Sequence, residues 1–229
     1  MIVLAFDTAQ GALSAAIHDG EGPLAAAFEL RTRGHAEELL PAIETVLAEA
    51  ALGFSDLDAL AVTIGPGTFT GLRVGLAAAR GLALALKLPL VGITTLEAIA
   101  ADVVAGEGEA VVAAFDAKRG EVYLQAFDAE GAPLTEPALV AVADAGRHLP
   151  RLKLLLVGTG AALLEEALHG FERRLADAPA QPRAETVARL ALKRLDTEDA
   201  DAFRVAPSPL YIRAPDAKLP GGRDPGEAA

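Results

Sequence analysis

The chain contains no cysteine and no asparagine among its 229 residues. Without cysteine, it can form no disulfide, no thiolate metal site and no cysteine nucleophile. Methionine occurs once, and glutamine occurs only at Gln10, Gln125 and Gln181. Depletion of thermolabile residues is one route to heat stability, but a GC-rich genome produces part of the same bias, so the composition leaves a thermophilic origin open.

The sequence also lacks an uninterrupted hydrophobic run of membrane-spanning length. Its most apolar long segment, residues 72–88, contains Arg73, Arg80 and Lys87. An arginine near the bilayer centre costs about 2.5–3.5 kcal/mol even on the mildest scale, so we expect no membrane span here. Because the N-terminal segment reaches Asp7 without a basic start and a long apolar stretch, we expect no signal peptide or anchor, and a cytoplasmic location.

Positive charge is scarce in this chain. It has 20 Lys and Arg against 32 Asp and Glu, which gives a formal net charge of −12 and a pI near 4.8. Hydrophobic residues make up 52 %, which is typical of a globular chain with a buried core. Affinity for nucleic acid depends largely on cations that neutralise phosphates, so we expect any such contact to be carried mainly by another molecule.

A repeat separated by 109 residues organises the sequence. Residues 5–11 read Ala-Phe-Asp-Thr-Ala-Gln-Gly, and residues 114–120 read Ala-Phe-Asp-Ala-Lys-Arg-Gly. An Asp-x-Glu-Gly sequence at 19–22 recurs at 128–131. Both copies predict a strand, an Asp-led turn, a second strand and a second turn, and therefore two domains with the same opening hairpin. Two ordinary hairpins in an alanine-rich chain remain the alternative.

Hydrophobic periodicity predicts an α/β fold. Strands at 2–6, 12–17 and 23–30 precede two helical segments at 36–52 and 70–88, with strands alternating between and after them. This order predicts a mixed sheet with helices on its faces. The second half repeats the pattern more weakly, so we expect a reduced second domain. The predicted divisions are an N-terminal domain at 1–105, a C-terminal domain at 106–213 and a flexible tail at 214–229.

The sharpest motif lies between a predicted strand and a predicted helix at residues 64–75, which read Ile-Gly-Pro-Gly-Thr-Phe-Thr-Gly-Leu-Arg-Val-Gly. A helix N-terminus directs N–H groups into such a loop, which suits a phosphate or carboxylate, so Gly65, Gly67 and Thr70 are candidate anion-binding residues. The alternative is a tight turn in which the glycines supply unusual dihedrals and Thr70 caps the helix. No Lys-Ser/Thr pair follows the last glycine, which excludes a Walker loop.

The helix predicted after this loop is apolar over nearly its whole circumference. One sheet cannot bury that much surface. Gly71, Gly75 and Ala79, which are spaced by four residues, form a smooth strip suited to close helix approach. Two interpretations stay open: a helix sandwiched inside its own domain, or a subunit interface, which we favour. The candidate interface residues are Gly71, Arg73, Gly75, Leu76, Ala79, Arg80, Leu39 and Ile43.

The Gly-Pro-Gly-Thr-Phe-Thr-Gly-x-Arg-x-Gly motif resembles the signature of the TsaB (YeaZ-like) family. Further matches in the same order are Phe6-Asp7-Thr8-Ala9, His35 before Leu39-Leu40-Pro41, Gly81-Leu82-Ala83, Thr94-Thr95-Leu96, Asp116 through Tyr123, and Tyr211-Ile212-Arg213 with Lys218. The resemblance covers essentially the whole chain and is densest over residues 1–125. It implies a two-domain actin/hexokinase-like ATPase fold, made of duplicated RNase H-like mixed sheets with helices.

The same resemblance implies a role and partners. The expected role is that of a non-catalytic accessory subunit in tRNA N6-threonylcarbamoyladenosine synthesis, at the adenosine next to the anticodon. The implied partners are a TsaD-like transferase and, through the complex, a TsaE-like ATPase, with a homodimer when the chain is alone and tRNA bound only indirectly. The rival functions are an actin-fold small-molecule kinase or ATPase and a glycoprotease-like hydrolase.

The first hairpin departs from the pattern of catalytic relatives of this fold, which carry Asp-x-Gly-Thr near the nucleotide phosphates. Here Asp7 and Thr8 are followed by Ala9 and Gln10 where close approach favours glycine, so a degenerate loop is implied. We favour Asp7 as a turn-forming carboxylate, and a ligand of a metal-bound water is the alternative. We expect no cofactor, and weak ATP or ADP binding only in the complex.

The four histidines do not suggest a metal site. TsaD-type transferases hold a metal with a His-x-x-x-His pair, whereas the histidines here stand at 18, 35, 148 and 169, without that spacing. We therefore expect neither a metal nor catalytic residues. His35 at a helix start, and Asp116 and Gly120 in the second hairpin, are expected to be structural.

Overall fold

The computed structural model describes residues 1–203 and 205–213, and the predicted tail at 214–229, with Lys218, lies outside them. The elements of the first half are β1 (Val3–Asp7), β2 (Ala12–His18), β3 (Pro23–Leu30), α1 (His35–Glu49), β4 (Ala59–Thr63), α2 (Phe69–Leu86), β5 (Leu90–Ile93) and α3 (Thr95–Ala100). Those of the second half are β6 (Glu109–Lys118), β7 (Glu121–Phe127), β8 (Ala138–Ala141), β9 (Lys153–Val157), α4 (Ala161–Ala167), β10 (Arg173–Leu175) and α5 (Ala184–Thr197).

Two five-stranded mixed sheets share one topology. The first has the order β3-β2-β1-β4-β5, and the second has the order β10-β9-β6-β7-β8, which is the same arrangement taken from the other edge. In each sheet an antiparallel meander of three strands is extended by two parallel strands. The repeat in the sequence therefore corresponds to a repeat of sheet topology, and the prediction of an α/β fold with two mixed sheets is confirmed.

The two faces of the first sheet are covered by helices from different parts of the chain. On one face, α1 and α2 pack side by side over β1, β2 and β4, with apolar side chains such as Leu39, Ile43 and Leu76 in the core. On the other face lies α5, from the second half of the chain, which buries Val187 and three alanines against β1, β2 and β5. The alanines allow α5 to approach the sheet closely, so both faces of the first sheet are buried.

The helix α3 belongs to the first half of the chain but packs on the second sheet. Its Leu96 and Ile99 are buried among side chains of the second sheet, including Phe115 of β6. Arg194 of α5 links the two crossing helices, because its guanidinium donates to the carboxylate of Glu97 and to the carbonyl oxygen of Gly92 at 2.6 Å. The sheets follow the two halves of the sequence, whereas α3 and α5 each pack on the sheet of the other half. The domain limits at 1–105 and 106–213 stay a prediction.

Several predicted boundaries differ from the observed ones. The helix α2 begins at Phe69, and its N-cap is Thr68, whose hydroxyl accepts a hydrogen bond from the N–H of Gly71 at 3.1 Å; Thr70, the predicted cap, lies inside the helix. In the second half, β8 has only four residues. The three-residue strand β10 was not predicted, because so short a segment carries no periodic signal.

By length and composition alone, α2 could cross a membrane. Its mean hydropathy is 1.3 over 18 residues, and 28 % of them are buried inside the protein. Core helices of globular proteins meet the same criterion. Five residues of α2 are buried in the described fold, and the helix packs on β4, so the structure gives this helix a place on the first sheet.

Candidate functional site

Asp7 lies at the end of β1, completely buried. Its Oδ1 accepts hydrogen bonds from the backbone N–H of Ala9 at 3.1 Å and from the hydroxyl of Thr63. Its Oδ2 has no partner among the described residues. Burial raises the pKa of this carboxyl from 3.8 to about 6, although the two hydrogen bonds act in the opposite direction. The side chain holds the hairpin turn, as a turn-forming carboxylate would.

Thr8 is packed against the start of α2. Its hydroxyl donates to the carbonyl oxygen of Gly71 at 2.8 Å. A Cβ atom at Gly71 would lie 2.1 Å from the carbonyl oxygen of Thr8, and one at Gly75 would lie 2.7 Å from the Thr8 hydroxyl. A Cβ atom at Gly67 would lie 2.4 Å from the carbonyl oxygen of Ala9. Gly67, Gly71 and Gly75 therefore allow the loop and α2 to approach the first hairpin closely, which is a structural reason for these three glycines.

The N–H groups of the first hairpin turn are used within the chain. That of Ala9 donates to Asp7, and that of Gly11 donates to the side-chain oxygen of Gln181 at 3.0 Å. The side-chain amide of Gln10 donates to the carbonyl oxygen of Pro66 at 2.9 Å. A phosphate site in such a turn needs free N–H donors. Two of the turn's N–H groups are already occupied in the described fold.

The second hairpin repeats this arrangement. Asp116 accepts hydrogen bonds from the backbone N–H of Lys118 at 2.8 Å and from its ammonium group at 2.7 Å, and the Lys118 hydrogen bond lowers the pKa of this carboxyl. The N–H of Asp116 donates to the hydroxyl of Thr159 at 3.1 Å. Gly120 closes the turn with a φ of 75°, in the left-handed region that favours glycine.

The other predicted loop residues lie around the first hairpin. Gly65 is buried beside the backbone of Leu210, Gly67 is half-buried, and Thr70 is exposed. His35 is the first residue of α1, as predicted for a helix-start residue. Among residues 1–203 and 205–213, no group of three or more His, Cys, Asp or Glu side chains could hold a metal ion. Nucleotide binding at Asp7, Thr8, Gly65, Gly67 and Thr70 stays a prediction.

Six of the eight predicted interface residues lie inside the chain's own fold: Gly71, Gly75, Leu76, Ala79, Leu39 and Ile43. This corrects the expected role of the Gly71/Gly75/Ala79 strip, which packs on the first hairpin and β4 instead of facing outward. Periodicity marked the strip but could not say which surface it meets. Arg73 and Arg80 are exposed, so a partner interface on α2 stays a prediction that must use the opposite side of the helix.

The outward stripe of α2 is apolar with isolated cations. It consists of Phe69, Thr70, Arg73, Ala77, Arg80, Gly81, Leu84 and Ala85. Leu84 is 82 % exposed and Phe69 is 54 % exposed. The neighbouring helix α1 exposes Leu40 beside the carboxylates of Glu37, Glu38, Glu44 and Glu49. The two helices thus form one continuous surface with a positive half and a negative half.

Residues 205–213, which we call the strap, were not recognised as a site element from the sequence. The strap runs alongside α2, where Arg80 donates to the carbonyl oxygen of Pro207 at 2.7 Å and Arg73 donates to the hydroxyl of Tyr211 at 3.2 Å. At its end Arg213 forms an ion pair with Glu121 of β7 at 2.5 Å. The strap therefore contacts both halves of the fold. The excess of proline and arginine near 204–213 was the available signal.

The sequence also matches a known family. The model of the family described as "TsaD: tRNA N6-adenosine threonylcarbamoyltransferase" matches residues 28–220, most of the chain and nearly all of its described helices. The chain belongs to this family. Within it, the chain is a TsaB/YeaZ-type member, as the resemblance of the loop motif implied.

Relatives and solved structures support this placement. The chain is 42 % identical over 100 residues to the tRNA threonylcarbamoyladenosine biosynthesis protein TsaB of Escherichia coli, a match that covers 44 % of this chain and 43 % of that protein. The chain thus matches less than half the length of this curated relative. A Pseudomonas aeruginosa protein described as similar to peptidase YEAZ superposes with a TM-score of 0.79 and 29 % identity, over 93 % of this chain and 99 % of that one.

The actin/hexokinase-like fold is also confirmed. The ROK hexokinase of Thermus thermophilus superposes with a TM-score of 0.50 and 17 % identity, covering 86 % of this chain and 100 % of that one. At this identity the likeness concerns the fold alone. It agrees with the repeated sheet topology described above.

Proposed function

We propose that this chain is a non-catalytic accessory subunit in the synthesis of N6-threonylcarbamoyladenosine in tRNA, and that it acts by pairing with a TsaD-like transferase. The observation that carries the non-catalytic part is the packing of the motif glycines on Thr8 and Ala9, together with the occupied N–H groups of Ala9 and Gly11. A loop that serves its own fold in this way has few donors left for a nucleotide.

The accessory part rests on the outward surface of α1 and α2. The transferase family model spans both helices, so a transferase of this family offers a related helix pair. Two related surfaces can associate about an approximate two-fold axis, as in an isologous dimer. An exposed apolar stripe that contains isolated arginines is typical of a protein-binding surface.

The same surface accounts for a homodimer when the chain is alone. A two-fold axis places α2 of one copy, with its exposed Arg73, Arg80 and Lys87, beside α1 of the other copy, with its exposed glutamates. Opposite charges then face each other across the axis. A TsaE-like ATPase would join through the heterodimer, and tRNA would be bound mainly by the transferase because this chain carries a net charge of −12.

The deciding experiment is reconstitution with a purified TsaD-like transferase, tRNA and threonylcarbamoyl-adenylate as donor. We expect modified adenosine only when both proteins are present, and none from this chain alone. A Leu84→Glu variant places a charge in the centre of the stripe and should weaken transferase binding by about 30-fold or more, as loss of a hot-spot contact does. Leu175→Glu, on β10 and 42 % exposed, is the matched control and should bind normally.

Three results would contradict the proposal. The first is modification by this chain without the transferase, and the second is full activity of the transferase without this chain. The third is unchanged transferase affinity in a Leu84→Glu variant that circular dichroism shows to be folded. Tight ATP binding with turnover by the isolated chain would instead favour the rival actin-fold kinase or ATPase.

A further inference from the structure

Both tyrosines of the chain lie near the C-terminal end of the strap. Tyr211 belongs to the strap itself, and Tyr123 of β7 lies 5.9 Å from the guanidinium of Arg213. The ring of Tyr211 stacks on the ring of Phe69, with centroids 5.9 Å apart and an interplanar angle of 29°. Aromatic residues make up only 4 % of this chain, yet Phe69 and Tyr211 are 54 % and 46 % exposed. Two stacked, half-exposed rings in so aromatic-poor a chain need a reason beyond the core.

Arg73 joins the two rings. Its guanidinium lies 3.6 Å from the centroid of the Phe69 ring, and its Nε donates to the Tyr211 hydroxyl at 3.2 Å. The two terminal nitrogens of Arg73 have no hydrogen-bond partner among the described residues. A guanidinium held flat by an aromatic face, with its terminal nitrogens unused, is preorganised to bind a carboxylate by two parallel hydrogen bonds.

The strap is held in place by contacts that do not involve these rings. The N–H of Leu210 donates to the carbonyl oxygen of Ile64 at 2.7 Å, and Arg80 binds the carbonyl oxygen of Pro207. Pro207 also packs against Gly92, because a Cβ atom added at Gly92 would lie 2.7 Å from the Cβ of Pro207. Tyr211 is therefore positioned beside Phe69 before any partner binds, and a preorganised contact loses less entropy on binding.

We propose that Phe69, Arg73 and Tyr211 form a composite recognition patch, called here the strap patch, that binds the transferase through a carboxylate side chain flanked by an apolar side chain. This inference rests on the proposed function and adds the strap to the partner surface. Phe69 and Arg73 belong to the outward stripe of α2, so the strap patch continues that stripe at the N-terminal end of the helix. Tyrosine, phenylalanine and arginine are the residue types enriched at interface centres.

The charge around the strap patch indicates an acidic ligand. From residue 59 to residue 96 the sequence contains three cations, Arg73, Arg80 and Lys87, and no Asp or Glu. Arg80 donates a terminal nitrogen to the strap, whereas Arg73 donates only its Nε, so Arg73 is the arginine that keeps both terminal nitrogens for a ligand among the described residues. An RNA ligand is the weaker choice, because neutralising several phosphates takes more cations than the strap patch presents.

The test measures the affinity of the full-length chain for the purified transferase. Tyr211→Ala and Arg73→Gln should each raise the Kd by about 30-fold, and Arg73→Lys, which keeps the charge but loses the fork, should raise it by about tenfold. Tyr211→Phe keeps the stacked ring and should remain within about threefold of the wild type. The control is Arg151→Gln, which breaks a cation–π pair with Phe171, 4.6 Å from the ring centroid, in the second half and should leave the Kd unchanged.

The outcomes separate this inference from the proposed function. If Leu84→Glu abolishes binding while Tyr211→Ala and Arg73→Gln bind like the wild type, the strap patch is wrong and the proposed function stands. If the wild-type chain does not bind the transferase at all, both fail. If the two variants lose only self-association, the ligand of the strap patch is a second copy of this chain. If they lose only tRNA binding by the complex, the ligand is an RNA. Either result overturns the inference. Arg73 is exposed, so its variants test the idea even if Tyr211→Ala unfolds the strap.

Discussion

The buried carboxyl group of Asp7 couples the stability of the fold to pH. Its pKa is raised to about 6 in the folded chain, from an ordinary value of 3.8, because burial disfavours the charged form. A raised pKa means that this group stabilises the fold fully below about pH 4 and that this contribution is lost as the pH rises through about 6. The same group that forms the hairpin turn is therefore a source of instability at neutral pH.

We predict that Asp7→Asn removes this pH dependence. The free energy of unfolding of the wild type should fall by on the order of 3 kcal/mol between pH 4 and pH 7 through this group, whereas the neutral asparagine, whose oxygen can still accept from Ala9 and Thr63, should show no such fall. Urea unfolding of both proteins at several pH values measures the difference in slope. Equal slopes for the two proteins would show that Asp7 titrates normally.

At the scale of the element, α2 uses its two sides differently. One side carries glycines that meet the first hairpin, and the other carries the outward stripe. A Cβ atom at Gly71 would lie 2.1 Å from a backbone carbonyl oxygen, which cannot move without displacing the hairpin, whereas one at Gly81 would meet nothing within 4 Å. The same substitution should therefore have opposite effects ten residues apart on one helix.

We predict that Gly71→Ala lowers the free energy of unfolding by roughly 2–3 kcal/mol, because overpacking outweighs the gain in helix propensity. Gly81→Ala should raise it by about 0.5–1 kcal/mol, since alanine restricts the unfolded chain without a clash. Denaturant unfolding at low protein concentration, where self-association does not contribute, compares the two. A harmless Gly71→Ala would mean that the loop and the hairpin are not in close contact in solution.

At the scale of the whole molecule, the crossing of α3 and α5 ties the two sheets together. Val187 and its neighbours on α5 cover the face of the first sheet that lies opposite α1 and α2. Leu96 and Ile99 on α3 cover one face of the second sheet. Neither sheet can keep its core if the other half of the chain unfolds. The two halves should therefore unfold in one cooperative transition.

Val187→Ala tests this coupling. Removing two methyl groups from a fully buried site should cost about 2 kcal/mol, mainly on the first sheet. Tyr123 reports on the second sheet, and in a Tyr211→Phe background it is the sole tyrosine in a chain without tryptophan. The fluorescence transition of Tyr123 should move with the circular dichroism transition by the same amount. A fluorescence midpoint that stays in place would mean that the halves unfold separately.

The sequence by itself determined most of the elements, the repeat and the family. Strands, helices and the duplicated hairpin depend on local periodicity and turn residues, which can be read along the chain, and the motif at 64–75 is specific enough to identify its relatives. The tertiary structure alone decided which side of α2 is outside, because a smooth strip of small residues suits a partner and the chain's own hairpin equally well. It also decided that α5 covers the first sheet and that the strap brings Tyr211 to Phe69, since contacts between residues more than a hundred positions apart leave no periodic signal in the sequence.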